Sequence, residues 1–201
     1  ASRDYITFLD ADDKWEAIFL ETINKLIKDY PEASIFSTGF VISKQGEKRK
    51  SSKYLKRGLI DDYFKRSMNN YIIHSSSVAI KAQFLKKFKL FNEQIKRGED
   101  LDLWARLALK AKIGYDPCIC SVYEIHEENS SLSYTAPPLI SYAYHISLKD
   151  VHSKNEYKYK RKIVVRKIIS YLIKSRNINY FLIMLKKHKL SFIHYFFRSN
   201  C

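Results

Sequence analysis

Three short groupings in the chain carry residue types suited to chemistry. Asp10-Ala11-Asp12-Asp13 follows an apolar run, Tyr5-Ile6-Thr7-Phe8-Leu9, so that Asp10 and Asp12 stand one residue apart. Two such carboxylates can hold a hard divalent cation, Mg²⁺ or Mn²⁺, which in turn grips phosphate oxygens. The same turn can instead be a solvated cap on the helix that follows, with Asp12 or Asp13 as the cap. Gly98-Glu99-Asp100-Leu101-Asp102-Leu103-Trp104 opens a second helix with acids. A carboxylate there is either a cap and helix-dipole partner or a general base that takes the proton of an attacking hydroxyl. Tyr123-Glu124-Ile125-His126 ends on an imidazole that is either satisfied locally or a further metal ligand. Cys118-x-Cys120 has no second ligand pair at zinc spacing, and strand alternation puts both thiols on one face, which reads as buried small apolar side chains.

The elements that must position these groups alternate between strand and helix. Tyr5–Leu9 reads as a strand buried on both faces, the parallel-sheet type, and ligands of open α/β sheets bind beyond the carboxyl ends of such strands. A helix is expected from Trp15 to Tyr30, with Phe19, Ile23, Leu26, Ile27 and Tyr30 on one face and Pro31 as its stop. Ala33–Ile42 reads as a strand, Ser43–Lys53 as a solvated turn or loop around Gly46, and Leu59–Met68 as a helix. Ile72–Ile80 reads as a long strand, Gln83–Phe88 as a short helix, and Gly114–Tyr123 as another strand. The helix opening at Glu99 is expected to reach about Lys112, turning Leu103, Trp104, Leu107, Ala108 and Ala111 inward. After Pro137-Pro138 the chain becomes helical, basic and aromatic. The expected division is therefore an α/β body over residues 1–136 and a helical extension over 137–201. A doubly buried first strand wants parallel neighbours that nothing before it supplies, so the expectation is that an N-terminal sheet-forming half is absent from this sequence.

Composition narrows the class. The chain has 201 residues, 46% of them hydrophobic, enough for a packed core. Three cysteines exclude a disulfide framework and point to a reducing compartment. No apolar run approaches the roughly 20 residues of a membrane span, which leaves a soluble or membrane-surface globular protein. The net charge of +15 is unevenly placed. Residues 151–201 hold thirteen Lys and Arg against one acid, Glu156, a net +12, whereas the first 150 residues carry +3. The basic charge therefore belongs to the extension. There Val164, Ile168 and Leu172 recur four apart, and Tyr180–Leu185 and Phe192, Ile193, Tyr195, Phe196 and Phe197 sit among lysines and Arg198. Such helices either pack on a body or lie on an anionic membrane.

Taken together, the three groupings resemble one family. Tyr5-Ile6-Thr7-Phe8-Leu9-Asp10-Ala11-Asp12-Asp13-Lys14-Trp15 resembles the strand and metal motif of the family 2 glycosyltransferases, which have the GT-A fold. Gly98-Glu99-Asp100-Leu101-Asp102-Leu103-Trp104-Ala105-Arg106-Leu107 resembles that family's later acidic motif. Tyr123-Glu124-Ile125-His126, with Asn129 and Ser131, resembles the segment that closes its catalytic domain. Order and separations fit over about Ala1 to Leu132, with departures at Arg3, Lys89 and Glu124, and the family's nucleotide-binding half is not in this sequence. The resemblance implies an inverting transfer of sugar from a nucleotide-diphosphate sugar to an acceptor hydroxyl, assisted by Mn²⁺ or Mg²⁺. It implies Asp12 as leading metal ligand, Asp10 on metal or ribose, His126 completing the sphere, Asp100 as base, and Glu99 orienting that base or meeting the acceptor. The acceptor would be a glycan or a lipid-linked glycan, in surface polysaccharide or glycolipid synthesis. The location would be cytoplasmic, peripheral on the inner face of the cell membrane through residues 151–201.

Two other classes compete. Haloacid-dehalogenase-type phosphatases also carry Asp-x-Asp after a buried strand, but they want Thr or Val where Lys14 stands. A basic nucleic-acid- or membrane-binding protein would suit the charge and the 29 aromatic residues. The aromatics of the body fall on apolar faces, however, and no nucleic-acid-binding signature is present, so no nucleic-acid partner is expected.

Overall fold

The computed structural model describes residues 3–52, 56–88, 90–126 and 135–189. Asn129 and Ser131, Lys89, and the aromatic run beyond Leu190 lie outside the described residues. The strand buried on both faces is β3 (Ile35–Lys44), not the first one. β3 runs parallel to β7 (Ile113–Ile125), with Ile35 opposite Ile113 and Lys44 opposite Ile125. The register slips on either side of Gly39. A β-carbon at Gly39 would stand 2.6 Å from the Pro117 carbonyl oxygen, so the residue without one lets the two backbones close.

The remaining strands pair antiparallel. They are β1 (Tyr5–Thr7), β2 (Lys14–Trp15), β4 (Glu47–Lys50), β5 (Gly58–Leu59) and β6 (Val78–Lys81). The sheet order is β1-β6-β3-β7-β2, with β4 on β3 and β5 on β7. The β3–β4 hairpin turns at Gln45-Gly46, both with positive φ, and the glycine adopts that conformation without steric cost. β1 corrects the expectation for Tyr5–Leu9. It is three residues long and half-buried, and its described partner is the antiparallel β6, Tyr5 opposite Lys81. The chain leaves the sheet after Thr7. Phe8 turns edge-on to Phe91 and Trp104, and Leu9 is exposed.

Helix α1 (Phe19–Asp29) begins later than the expected Trp15, because Lys14 and Trp15 pair with Val122 and Ser121 of β7. It buries Phe19, Ile23 and Leu26 against Ala33, Phe36, Ala79 and Cys120, with Ile27, Tyr30 and Cys118 packed at the edge. Each large side chain in such a cluster contributes about 1.5–3 kcal/mol. Leu59–Met68 is not one helix: Leu59 joins β5, and α2 covers only Tyr63–Ser67, capped by Asp62, whose Oδ1 accepts the Lys65 N–H. Nor is Ile72–Ile80 one strand. Ser75–Ser77 form a 3₁₀ turn before β6, since His74 and Ser77 satisfy each other's backbone locally. α3 covers Ala82–Lys87. α4 (Glu99–Ala108) buries Leu103, Trp104, Ala105 and Leu107 and stops short of Lys112.

The chain forms two compact units, Ala1–Asn92 with Asp100–Glu127, and Glu93–Glu99 with Glu128–Cys201. The first holds the whole sheet. In the second, Lys96 and Arg97 N–H groups donate to the Ile140 carbonyl, and the Tyr142 N–H donates to that of Arg97. Ser153 caps the helix Lys154–Ile169, and the buried Glu156 accepts the His152 N–H and pairs with Lys160 at 2.7 Å. A π turn, Ser170–Lys174, and the helix Ile178–His188 follow. The buried face runs through Val164 and Ile168 to Tyr171, not to the expected Leu172. The Tyr171 hydroxyl donates to the Ala136 carbonyl at 2.7 Å. No helix among the described residues is long and apolar enough to cross a membrane.

Candidate functional site

The acidic turn is built by what holds its backbone. The Asp13 N–H closes on the Asp10 carbonyl at 3.1 Å. The Asp10 N–H donates to Ser76 Oγ at 3.0 Å, and the Trp15 indole N–H donates to the Ser76 carbonyl at 2.8 Å. Trp15 in turn stacks on Phe19 of α1 at 4.4 Å. The turn is thus pinned to the 3₁₀ turn from two sides, and Asp10 and Asp12 project into solvent while Asp13 points inward. None of these acids caps α1, which has no side-chain cap.

Asp13 is the most constrained of them. Its Oδ1 accepts the Glu124 N–H at 3.1 Å, and its Oδ2 is buried without a hydrogen-bond partner. His74 stands beside it, Nδ1 3.5 Å from Oδ2. The imidazole is sandwiched between Phe40 and Tyr123, ring centres 5.3 and 4.2 Å away, and its Nδ1 accepts the Ser76 N–H. Accepting there puts the ring proton on Nε2. Burial pushes His74 down to about 4, against the pull of the Asp10 and Asp12 charges. Burial likewise pushes the Asp13 carboxyl above the ordinary Asp range, against the pull of the Ser76 hydroxyl and the Glu124 N–H, with the Asp12 and Glu124 charges adding to the rise. Asp10, Asp13 and His74 each offer a ligand atom within 4.8 Å of the others. The two carboxylates suit Mn²⁺ or Mg²⁺, and a buried carboxylate oxygen without a hydrogen-bond partner is the kind of atom such a cation satisfies, whereas His74 would ligate only by giving up the bond its Nδ1 accepts from the Ser76 N–H.

His126, just after β7, meets the turn at another point, its Nε2 3.6 Å from Asp12 Oδ2, with both side chains open to solvent. Asp100 sits half-buried in the first turn of α4. Its charge is felt by Tyr123, whose phenol is pushed up to about 12 by burial and then by the charges of Asp100, Asp13, Tyr71 and Asp12. Of the candidates read from the sequence, Asp12 pairs with His126 and Asp10 joins Asp13 and His74, while Asp100 stands in the first turn of α4. Glu99 opens α4 one residue before Asp100 and is grouped with the second compact unit. Trp104 is fully buried against Phe8, which leaves it a packing role. Arg106 is structural, bonded to Asp102 at 2.8 Å and to the Leu90 carbonyl. In the sequence Asp13 reads as a cap on the next helix, His74 reads either as lining the acceptor side or as part of a buried strand, and Tyr123 has no role. The one signal available was the repeated acid after Asp12.

No protein-family model matches the sequence, and neither does any curated protein. Among solved structures the chain is similar to the crystal structure of S. aureus TarS 1–349, a glycosyltransferase. The TM-score is 0.57 at 14% identity, over 94% of this chain and 57% of that one. The chain thus spans a little over half the length of the structure it matches. At that identity the likeness speaks for the fold, which is glycosyltransferase-like.

Proposed function

We propose that the chain is the catalytic part of a GT-A-fold glycosyltransferase, similar to family 2, that moves a sugar from a nucleotide-diphosphate sugar to an acceptor hydroxyl with inversion. The observation that supports it is the approach of Asp10, Asp13 and His74, with ligand atoms within 4.8 Å of one another, next to the Asp12–His126 pair of the same acidic turn, on a glycosyltransferase-like fold. Asp12, Asp10 and His126 would hold Mn²⁺ or Mg²⁺, with Asp13 and His74 as added donors. When bound, the cation supplies the positive charge that stabilises the departing diphosphate. Asp100 acts on the acceptor: its carboxylate takes the hydroxyl proton as the new C–O bond forms and the bond to the diphosphate breaks. Glu99, the preceding residue, would orient that base or meet the acceptor. The acceptor is a glycan or a lipid-linked glycan of the cell surface, reached from the cytoplasmic side.

The test separates base from metal. Nucleoside-diphosphate release and donor binding are measured over a panel of nucleotide-diphosphate sugars with Mn²⁺. Asp100→Asn is expected to lower transfer by about 10²–10⁴-fold while leaving donor affinity nearly unchanged. Asp12→Ala is expected to weaken Mn²⁺-dependent donor binding as well. Equal loss of donor affinity in both variants would refute the separate roles.

A further inference from the structure

Sugar transfer makes no use of the outer face of the helical unit. Between Ile169 and Ile183 six aliphatic side chains, Ile169, Leu172, Ile173, Ile178, Leu182 and Ile183, are 36–66% exposed. They belong to the π turn and the two helices it joins, whose other faces bury Ile168, Tyr171, Phe181 and Met184. Exposed cations are interleaved with them: Arg166, Lys174, Arg176, Lys186 and Lys187. No acid occurs anywhere from Tyr157 to Lys189. Scattered aliphatics on a surface need no explanation, but six within fifteen residues, set among charges of a single sign, do.

We propose that this face docks on the surface of an anionic lipid bilayer. Its occupant must accept aliphatic side chains and offer negative charge around them, and the headgroup–acyl boundary of an anionic leaflet does both. Lysine and arginine stems lie along the apolar surface while their heads reach the headgroups. The helix Ile178–His188 has 11 residues, about 16 Å, too short to span a bilayer and long enough to lie in its interface. This docking does not depend on the reaction proposed above.

Co-sedimentation of the whole 201-residue chain with vesicles tests it. Equal parts of phosphatidylglycerol and phosphatidylcholine are compared with phosphatidylcholine alone, at low and high salt. The chain is expected to bind the anionic vesicles, to ignore the zwitterionic ones, and to be released by salt. Ile173→Glu and Leu182→Glu should each lower partitioning about tenfold or more. Lys186→Gln with Lys187→Gln should lower it about 30-fold, at roughly 1 kcal/mol for each charge. Circular dichroism checks that the variants fold. If a glutamate variant does not fold, the lysine pair and the salt comparison decide. Equal binding to both vesicle types, or binding untouched by the lysine pair, overturns the proposal. So does sedimentation velocity showing a dimer without vesicles that Ile173→Glu makes monomeric, since the face would then join two copies of the chain.

Discussion

Replacing Asp13 with Asn should stabilise the metal-free protein, although it removes a buried, hydrogen-bonded side chain. Asp13 Oδ1 holds the Glu124 N–H at 3.1 Å, and an amide oxygen can keep that bond. Oδ2 is buried without a hydrogen-bond partner, and Asp12 and Glu124 add repulsion that the Ser76 hydroxyl only partly offsets. A buried acceptor without a partner costs about 1–3 kcal/mol, more when it is charged. Asn removes the charge and turns an N–H toward the Asp10 carboxylate, whose oxygen lies within 4.8 Å of Asp13. The expected gain is about 1–3 kcal/mol, a rise in Tm of about 2–12 °C at roughly 2–4 °C per kcal/mol for a chain of this size. Thermal unfolding in chelator measures it. The pH dependence has a definite sign. The Asp13 pKa is raised in the folded state, so its penalty is present at neutral pH and is relieved as pH falls through that raised value. The advantage of Asn must therefore shrink on acidification. With Mn²⁺ the order should reverse: a bound cation stabilises the parent by mass action, about 2.7 kcal/mol at a hundredfold excess over Kd, and much of that is lost with the carboxylate. A lower Tm for Asp13→Asn in chelator would refute the account, because it would show that Oδ2 is satisfied by its surroundings.

His74 gives a second pH signature. Its folded-state pKa of about 4 lies below its ordinary 6.5, so stability is full above pH 6.5 and falls as pH drops toward about 4, by up to about 3 kcal/mol. Denaturant unfolding in the Asp13→Asn background, where the opposing carboxyl is absent, should show that slope, and His74→Phe should flatten it; an unchanged slope would remove His74 as the cause. At Gly39 an added methyl meets the Pro117 and Cys118 carbonyl oxygens at 2.6 and 3.0 Å, so Gly39→Ala should cost about 3 kcal/mol or more. Gly114→Ala, which meets only the Phe36 ring within 3.4 Å, should cost less, and the reverse order in denaturant midpoints would contradict the strand packing described.

The amphipathic face of α1, the inward row of α4 and the turn at Gly46 are legible in the sequence, because each is set by residues within one helix length or one turn. So is the placing of Asp10 and Asp12 beyond a strand. Only the tertiary structure decides which strand is buried on both faces. Tyr5–Thr7 and Ile35–Lys44 are both apolar runs, and pairing with β6 and β7, not composition, separates the edge from the centre. The same holds for the site. Asp13 turns inward because its carboxylate meets the backbone of Glu124, 111 residues along the chain. His74 reaches it because a serine-rich 3₁₀ turn interrupts what reads locally as a strand. Hydrogen bonds between segments that far apart leave no periodicity in either segment, so a sequence can show that acids and imidazoles are present, but their grouping follows from the fold.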